Sequence, residues 1–193
     1  MVIEKQLLVD CIKGERKAQF LLYKKCYSVL MSVCCRYKKN REDAAGLANQ
    51  GFLKILHNIE KYNETSAFEA WIRKIMINTV IDEFRKEKKD IEAIEYSDFQ
   101  NNSHYNRHVD YNNADKDFGA EDLENMVKEL PPVSRNIFNL FAIDGYSHRE
   151  IAEMFNISEG TSKWHVNFAR SKLKEMIAQF KLKEKKIAEA PNH

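Results

Sequence analysis

The stretch LPPVSRNIFNLFAIDGYSHREIAEMFNISEGTSKWHVNFARSKL, residues 130–173, decides the fold class of this chain. Pro131 and Pro132 pre-set a helix start, because proline's fixed φ suits the first turn and its missing N–H is not needed there. Val133, Ile137, Leu140 and Phe141 give that helix a buried face, and Gly145 supplies a left-handed terminator. Ser147-His148-Arg149-Glu150 is a capping box. It opens a short helix in which Ile151, Ala152, Met154 and Phe155 are apolar. Asn156-Ile157 makes a tight turn. Ser158 then caps a long helix to about Phe180, with Val166, Ala169, Leu173, Met176, Ile177 and Phe180 at helical spacing. A short helix, a tight turn and a long helix form the arrangement whose second helix enters the major groove of DNA. The face opposite the apolar stripe carries Thr161, Lys163, Trp164, Asn167 and Arg170, with Glu159 its one acid. The same spacing also describes a helical hairpin that binds protein.

The first half of the chain reads as a helical bundle. Leu7, Leu8, Cys11 and Ile12 recur at helical spacing, and Gly14 breaks the pattern. From Ala18 to Tyr37 the stripe Leu21, Leu22, Cys26, Val29, Leu30 and Val33 predicts a long helix. Asn40 is an N-cap, with Glu42 and Asp43 in the first turn, where the helix dipole favours acids. The helix it opens runs to about Ile59 and buries Leu47, Phe52, Ile55 and Ile59. A polar loop, EKYNETS (60–66), follows. Ser66 and Glu69 form a capping box for a helix of about Ala67 to Lys88. That helix carries two apolar stripes, Phe68-Trp71-Ile72-Ile75 and Ile77-Val80-Ile81-Phe84, and so packs on two sides. Between them lies the ridge Lys74, Asn78, Asp82 and Arg85, which ends in the basic run Arg85-Lys86-Glu87-Lys88-Lys89. A solvated face with an internal Lys–Asp–Arg network is the alternative reading of the ridge.

Composition bounds the rest. The 193 residues hold only six Gly and three Pro, which disfavours a turn-rich β fold. No run approaches the ~18 apolar residues of a membrane span. The N-terminus MVIEKQLLVD lacks a secretion pattern, so the expectation is a cytoplasmic chain. Cys11, Cys26, Cys34 and Cys35 form no C-x-x-C pair, and a disulfide framework is not expected. The net charge of +2 hides a segregation. Residues 1–89 hold 18 basic and 11 acidic side chains, 90–125 hold 2 and 10, and 126–193 hold 11 and 8. Two basic segments flank an acidic one that lacks apolar spacing, which suggests two polyanion-facing modules and a mobile linker. His104 and His108 in that linker have no second ligand pair, so no metal site is expected. The reading is an all-α chain of two small helical domains, 1–89 and 126–181. A flexible acidic linker, 90–125, joins them, and a basic flexible tail, 182–193, follows.

SAFEAWIRKIMINTVIDEFRKEKK (66–89) is similar to the promoter-opening helix of the extracytoplasmic-function (ECF) group of bacterial RNA polymerase sigma factors, in Phe68, Trp71, Ile72, Ile75, Asn78, Asp82 and Arg85. Residues 130–173 resemble that group's C-terminal helix-turn-helix, with its leading L-P, its G-Y-S-x-x-E-I-A core and its S-E-G-T-x-K signature. The resemblance implies a non-enzymatic specificity subunit that needs no cofactor and binds core RNA polymerase. It further implies recognition of a duplex −35 element and a single-stranded −10 element, and open-complex formation. An anti-sigma factor, membrane-anchored in many relatives, is an implied partner. The acidic linker resembles the family's connector, which threads the polymerase's basic interior.

The same resemblance implies site residues. For the −10 element these are Lys61, Tyr62, Asn63, Ser66, Trp71, Lys74, Asn78, Asp82, Arg85, Lys86, Lys88 and Lys89. For the −35 element they are Arg149, Ser158, Glu159, Thr161, Lys163, Trp164, Asn167, Phe168 and Arg170. Polymerase docking falls to the helix around DAAGLANQGFLKIL (43–56), through Asp43, Leu47, Asn49, Gln50, Phe52 and Lys54. Departures from the family's pattern are Ala45, Gly46 and Asn49, where an acid, an acid and a glutamine are usual. Trp164, His165 and Phe168 stand in place of Ser, Arg and Arg. A stand-alone helix-turn-helix regulator explains 130–180 but gives the Trp71–Arg85 ridge no role. An enzyme, such as a nuclease using Asp82 and Glu83, lacks convergent carboxylates, a Gly-rich phosphate loop and a nucleophile motif.

Overall fold

The computed structural model describes the backbone of all residues except Val2, 102–118 and 189–193, and side chains except those and 87–101, 120 and 183–188. Contacts divide the chain into two compact units, Met1–Ala93 and Ile94–His193. The described residues contain eight α-helices. The acidic segment's His104 and His108 lie outside the described residues.

The first unit is built from α1 (Lys5–Ile12), α2 (Arg16–Tyr37), α3 (Arg41–Asn58) and α4 (Phe68–Asn101), with a 3-10 turn at Ile59–Lys61. Gly14 sits at φ +82°, a conformation that lets α1 reverse into α2 at little cost. The Asn40 carboxamide accepts the Asp43 N–H at 2.8 Å, so α3 starts at the expected cap. Leu22, Leu30, Val33, Leu47, Ile55, Ile72 and Met76 have no more than 1% of their surface exposed. Each fully buried aliphatic side chain of this kind contributes about 2 kcal/mol. Gly51 of α3 faces Met76 of α4 so closely that a Cβ there would overlap the thioether.

Several expected core positions lie elsewhere. Leu21 is 47% and Ile12 44% exposed, because the stripe that repeats every fourth residue, Ala18-Leu22-Cys26-Leu30, takes the inward face of α2. In α4, Trp71 and Ile75 are only half-buried, while Met76 and Thr79 are buried. Thr79 tolerates this because its hydroxyl donates to the Ile75 carbonyl at 2.8 Å. Helix α4 opens at Phe68, and the Glu69 carboxylate binds Arg73 at 2.9 Å and the Met1 amine at 3.2 Å. It continues to Asn101, into the segment expected as linker, where residues 89–101 hold neither Gly nor Pro to stop it.

The second unit comprises α5 (Ala120–Lys128), α6 (Pro132–Ala142), α7 (His148–Phe155) and α8 (Glu159–Ala188). Both halves of the Ser147–Glu150 capping box are made. Asn156 takes the left-handed conformation (φ 53°, ψ 49°) between α7 and α8, and the Thr161 N–H donates to Ser158 Oγ at 3.0 Å. Gly145 lies at φ +77° in the α6–α7 turn. Ile137, Leu140, Ile151 and Ala169 are fully buried. Val133 and Phe141, expected in the core, are half-buried, whereas Ser134, Arg135, Asn136 and Asn139 are buried. Two of them have internal partners: Arg135 donates to the Lys128 carbonyl at 2.8 Å, and the Ser134 hydroxyl pairs with His165 Nδ1 at 2.9 Å, while Asn136 Oδ1 is buried without a hydrogen bond. Helix α8 runs to Ala188 rather than ending near Phe180. Among the described residues no helix is long and apolar enough to cross a membrane.

Two glycines of α3 should respond oppositely to a methyl group. A Cβ at Gly46 meets nothing within 4 Å, so Gly46→Ala should stabilise the chain by about 1 kcal/mol in urea unfolding. Gly51→Ala gains the same helix propensity but overpacks buried Met76, and should destabilise by about 1–3 kcal/mol. Met76→Ala should cost less in the Gly51→Ala chain than in the native chain, because the two positions are in contact and couple.

Candidate nucleic-acid interface

In the first unit the polar loop is held by its own side chains. Tyr62 donates to the Ser66 carbonyl at 2.8 Å, and Asn63 accepts from the Thr65 hydroxyl at 2.7 Å. Glu64 sits at φ 59° and pairs with Lys5 at 3.0 Å. Tyr62, Phe68 and Trp71 form an aromatic clasp with ring centroids 5.1 to 5.5 Å apart. Beside the loop lies a cavity of about 440 Å³, walled in part by Leu8, Tyr62, Thr65, Ser66 and Phe68. The half-exposed ring of Tyr62 lines the cavity and touches the half-exposed Trp71, and such rings suit an unstacked base, since every base offers a π face. Lys61, Asn63 and Ser66 are exposed. So are Lys74, Asn78, Asp82, Arg85 and Lys86, which places the expected ridge on the surface. Asp82 is bridged to Lys54 of α3 at 2.8 Å, and Lys38 of α2 reaches Glu83 at 2.7 Å. The side chains of Lys88 and Lys89 lie outside the described residues.

The face of α3 needs correction. Asp43, Asn49 and Gln50 are exposed and Lys54 is half-buried, but Leu47 is 1% and Phe52 7% exposed. Those two side chains fill the core against α2 and offer no docking surface. The apolar groups that do face outward are Leu53, 57% exposed, and Phe20, 63% exposed. Leu53 lies six residues from Leu47, about a third of a turn away around the helix, which takes it off the buried arc. Asn49 accepts the Tyr23 hydroxyl at 2.8 Å and so is tied to α2.

In the second unit Arg149, Ser158, Glu159, Lys163 and Asn167 are exposed, and Thr161, Trp164 and Arg170 are half-buried. Phe168 is 7% exposed and belongs to the packing, so it does not join the reading face. It stacks on Trp164 at 5.2 Å and 15°. The Ser158 and Thr161 hydroxyls lie 2.9 Å apart at the start of α8, where free backbone N–H groups favour phosphate. Lys163 and Glu159 are 3.9 Å apart, and Arg149 binds Glu153 at 3.3 Å, which tempers the positive charge. Sequence reasoning used His148 only as a capping-box spacer. Its ring stacks on Phe141 at 4.3 Å and meets Ser162 Oγ at 3.0 Å, and Arg170 lies 5.6 Å over the same Phe141. Burial, and then the Lys163 and Arg170 charges, lower the His148 pKa. His165, also buried, is pushed down to about 4 by desolvation and is neutral at pH 7. The four cysteines are free thiols, and burial drives Cys26 and Cys34 up to about 12, so neither is a thiolate.

Segments of both units match known families. The Sigma-70 region 2 family matches residues 22–90, and the Sigma-70, region 4 family matches 120–173. An ECF RNA polymerase sigma-E factor of Haemophilus influenzae is 25% identical over 182 residues, covering 89% of this chain and 94% of that protein. The ECF RNA polymerase sigma-E factor of Escherichia coli is 26% identical over 89% of this chain and 93% of its own length. Among solved structures, the sigma factor RpoE in complex with the anti-sigma factor NepR from Bartonella quintana is 18% identical. It covers 81% of this chain and 96% of its own, with a TM-score of 0.48.

The His165 environment makes the second unit acid-sensitive. Below pH 6.5 the unfolded imidazole takes a proton that the buried ring refuses until about pH 4. The unfolded state therefore binds more protons in that window, and stability falls as pH drops through it, by about 3 kcal/mol in all. Chemical unfolding at stepped pH should show this slope in the native chain and a shallower one in His165→Gln, where His148 still contributes with the same sign. Parallel slopes in the two proteins would show that His165 is not its source.

Proposed function

Because the chain belongs to the ECF group of sigma-70 factors, we propose specific roles for its surfaces in transcription initiation. The protein is a DNA-binding specificity subunit of RNA polymerase, not an enzyme. One observation carries the assignment of surfaces. An aromatic clasp beside an exposed polar ridge precedes, in the same chain, a doubly capped helix-turn-helix with a polar outer face.

In this reading the first unit, about residues 1–89, captures the −10 element as a single strand. Tyr62 and Trp71 stack an unpaired base, while Asn63, Ser66 and Asn78 hydrogen-bond its edges. Lys61, Lys74, Arg85, Lys86, Lys88 and Lys89 hold the backbone, and Asp82 orients Lys54 beside them. The second unit, about 126–181, reads the −35 duplex. Ser158, Thr161 and Arg149 sit on phosphates, and Glu159, Lys163, Trp164, Asn167 and Arg170 face base edges. Core polymerase docks on α3 through Asp43, Asn49, Gln50 and Lys54, with exposed Leu53 added to the set. The acidic segment 90–125 acts as the connector. The chain works in the cytoplasm, and an anti-sigma factor restrains it.

The test is co-purification with core RNA polymerase followed by transcription from a genomic DNA library. Stable binding with discrete start sites is expected. Duplex DNA binding with no polymerase association would instead establish a plain regulator. Asn78→Ala leaves the core untouched and should slow open-complex formation about tenfold, within the ~1–3 kcal/mol range of a base contact, while −35 duplex binding stays constant. Lys74→Ala should weaken promoter binding at all sequences and reduce the slope of log affinity against log salt by about 1.

A further inference from the structure

We propose that Trp164 makes the recognition helix a reader of the thymine 5-methyl group in the upstream promoter element. This rests on the −35 role of α8 given above and names the chemistry that sets its specificity.

Three observations on α8 lead here. The indole of Trp164 stacks on Phe168 at 15° and meets His165 edge-on at 4.9 Å. Phe168 and His165 are both 7% exposed, and Ser134 holds the imidazole at 2.9 Å. The indole is therefore a plate backed by fixed groups rather than a mobile side chain. Such a plate presents apolar area at little loss of side-chain entropy.

Gly160 stands one turn before Trp164. No atom of the indole comes within 4 Å of a Cβ placed at Gly160, so that turn stays open beside the ring. A Cβ at Gly160 would meet only Ser158 Oγ, at 3.5 Å. The approach to the plate from the start of the helix, the part that meets base edges, carries no side chain at that position.

The neighbouring positions remove the competing readouts. His165 is neutral and buried, and Phe168 is buried, so neither projects a charge beside Trp164. Indole has one N–H donor and no acceptor. An apolar plate in the major groove finds one matching group on an unmodified base pair, the C5-methyl of thymine. Lys163 and Asn167, exposed on either side of it along the helix, are left to read hydrogen-bonding edges.

The experiment uses the full chain bound to core RNA polymerase. A duplex library randomised over the upstream element yields the preferred sequence. Each thymine in it is then replaced singly by deoxyuracil, which deletes only the methyl group. At one or two positions the native chain should bind the uracil duplex about fourfold more weakly, the worth of one buried methyl. Trp164→Ser should bind thymine and uracil duplexes equally, and Trp164→Phe should keep most of the discrimination. Thermal melts matching the native chain exclude misfolding of either variant. Uracil tolerated at every position, or discrimination surviving in Trp164→Ser, overturns the inference and leaves the sigma reading standing. Failure of the polymerase-bound chain to select any upstream element overturns both.

Discussion

The close crossing of α3 and α4 at Gly51 is the constraint on which the first unit depends. Only a residue without a side chain leaves room for Met76, and Met76 is fully buried there. Once that point of contact is set, the rotation of α4 follows from its period. Phe68, Ile72, Met76 and Val80 go inward, and Lys74, Asn78, Asp82 and Arg85 come out on the far side. Two ion pairs brace the result, Lys54–Asp82 from α3 and Lys38–Glu83 from α2. The first is well exposed and contributes little to stability. The second is half-buried and fixes the end of α2 against α4 below the ridge. The surface proposed to meet single-stranded DNA is thus the outer consequence of a glycine on the inner side.

The second unit solves a different problem. Its helices α6 and α7 are short, and its interior includes Ser134, Arg135, Asn136 and His165. A polar interior of this kind is stable only when its groups find partners, because an unpaired buried donor or acceptor costs about 1–3 kcal/mol. The pairs Ser134–His165, Arg135–Lys128 carbonyl and His148–Ser162 meet much of that requirement. The Ser134–His165 and His148–Ser162 pairs are directional where apolar contacts are not, and both end on α8, so they help to fix its rotation about its axis. That rotation decides which side chains face out. The buried neutral histidine that makes the unit acid-sensitive also helps to aim its outer face.

Much of this was legible in the sequence. Asn40, Ser147, Asn156 and Ser158 announce helix ends through local hydrogen-bonding chemistry, and every one is used as read. The four-residue stripes gave the interior of α2 and α3. What escaped was anything that depends on a partner distant in sequence. Leu21 and Phe20 look like core residues and are outside; Arg135 and Asn136 look like surface and are inside. Periodicity reports which residues share a face, not how wide an arc the neighbours cover. Leu47 and Phe52 were assigned to a docking surface by motif position, although their spacing already placed them on the buried arc. Phe168 failed for a related reason: the position it occupies was read from family chemistry, and its own side chain is apolar enough to turn inward. The helical continuations of α4 to Asn101 and α8 to Ala188 escaped because low hydropathy was read as absence of structure, whereas helix propensity alone permits both.

The first turns of the recognition helix carry Trp164, His165 and Phe168 where the family pattern has serine and two arginines. Phosphate contacts supply most DNA affinity, and base contacts supply specificity. Among the positions proposed to face DNA in the second unit, Arg149, Lys163 and Arg170 are the cations, and two of them lie beside glutamates. A free domain so equipped would hold duplex DNA weakly. A domain delivered to the promoter by a second unit and by polymerase works at a high effective concentration, and need not supply its own affinity. On the proposed reading, that division of labour lets positions usually given to arginine be spent on an aromatic plate. A lone regulator with the same reading face would have no such support, so the sparse charge on that face, Lys163 and Arg170 against Glu159, suits a protein that reads DNA as part of a larger machine.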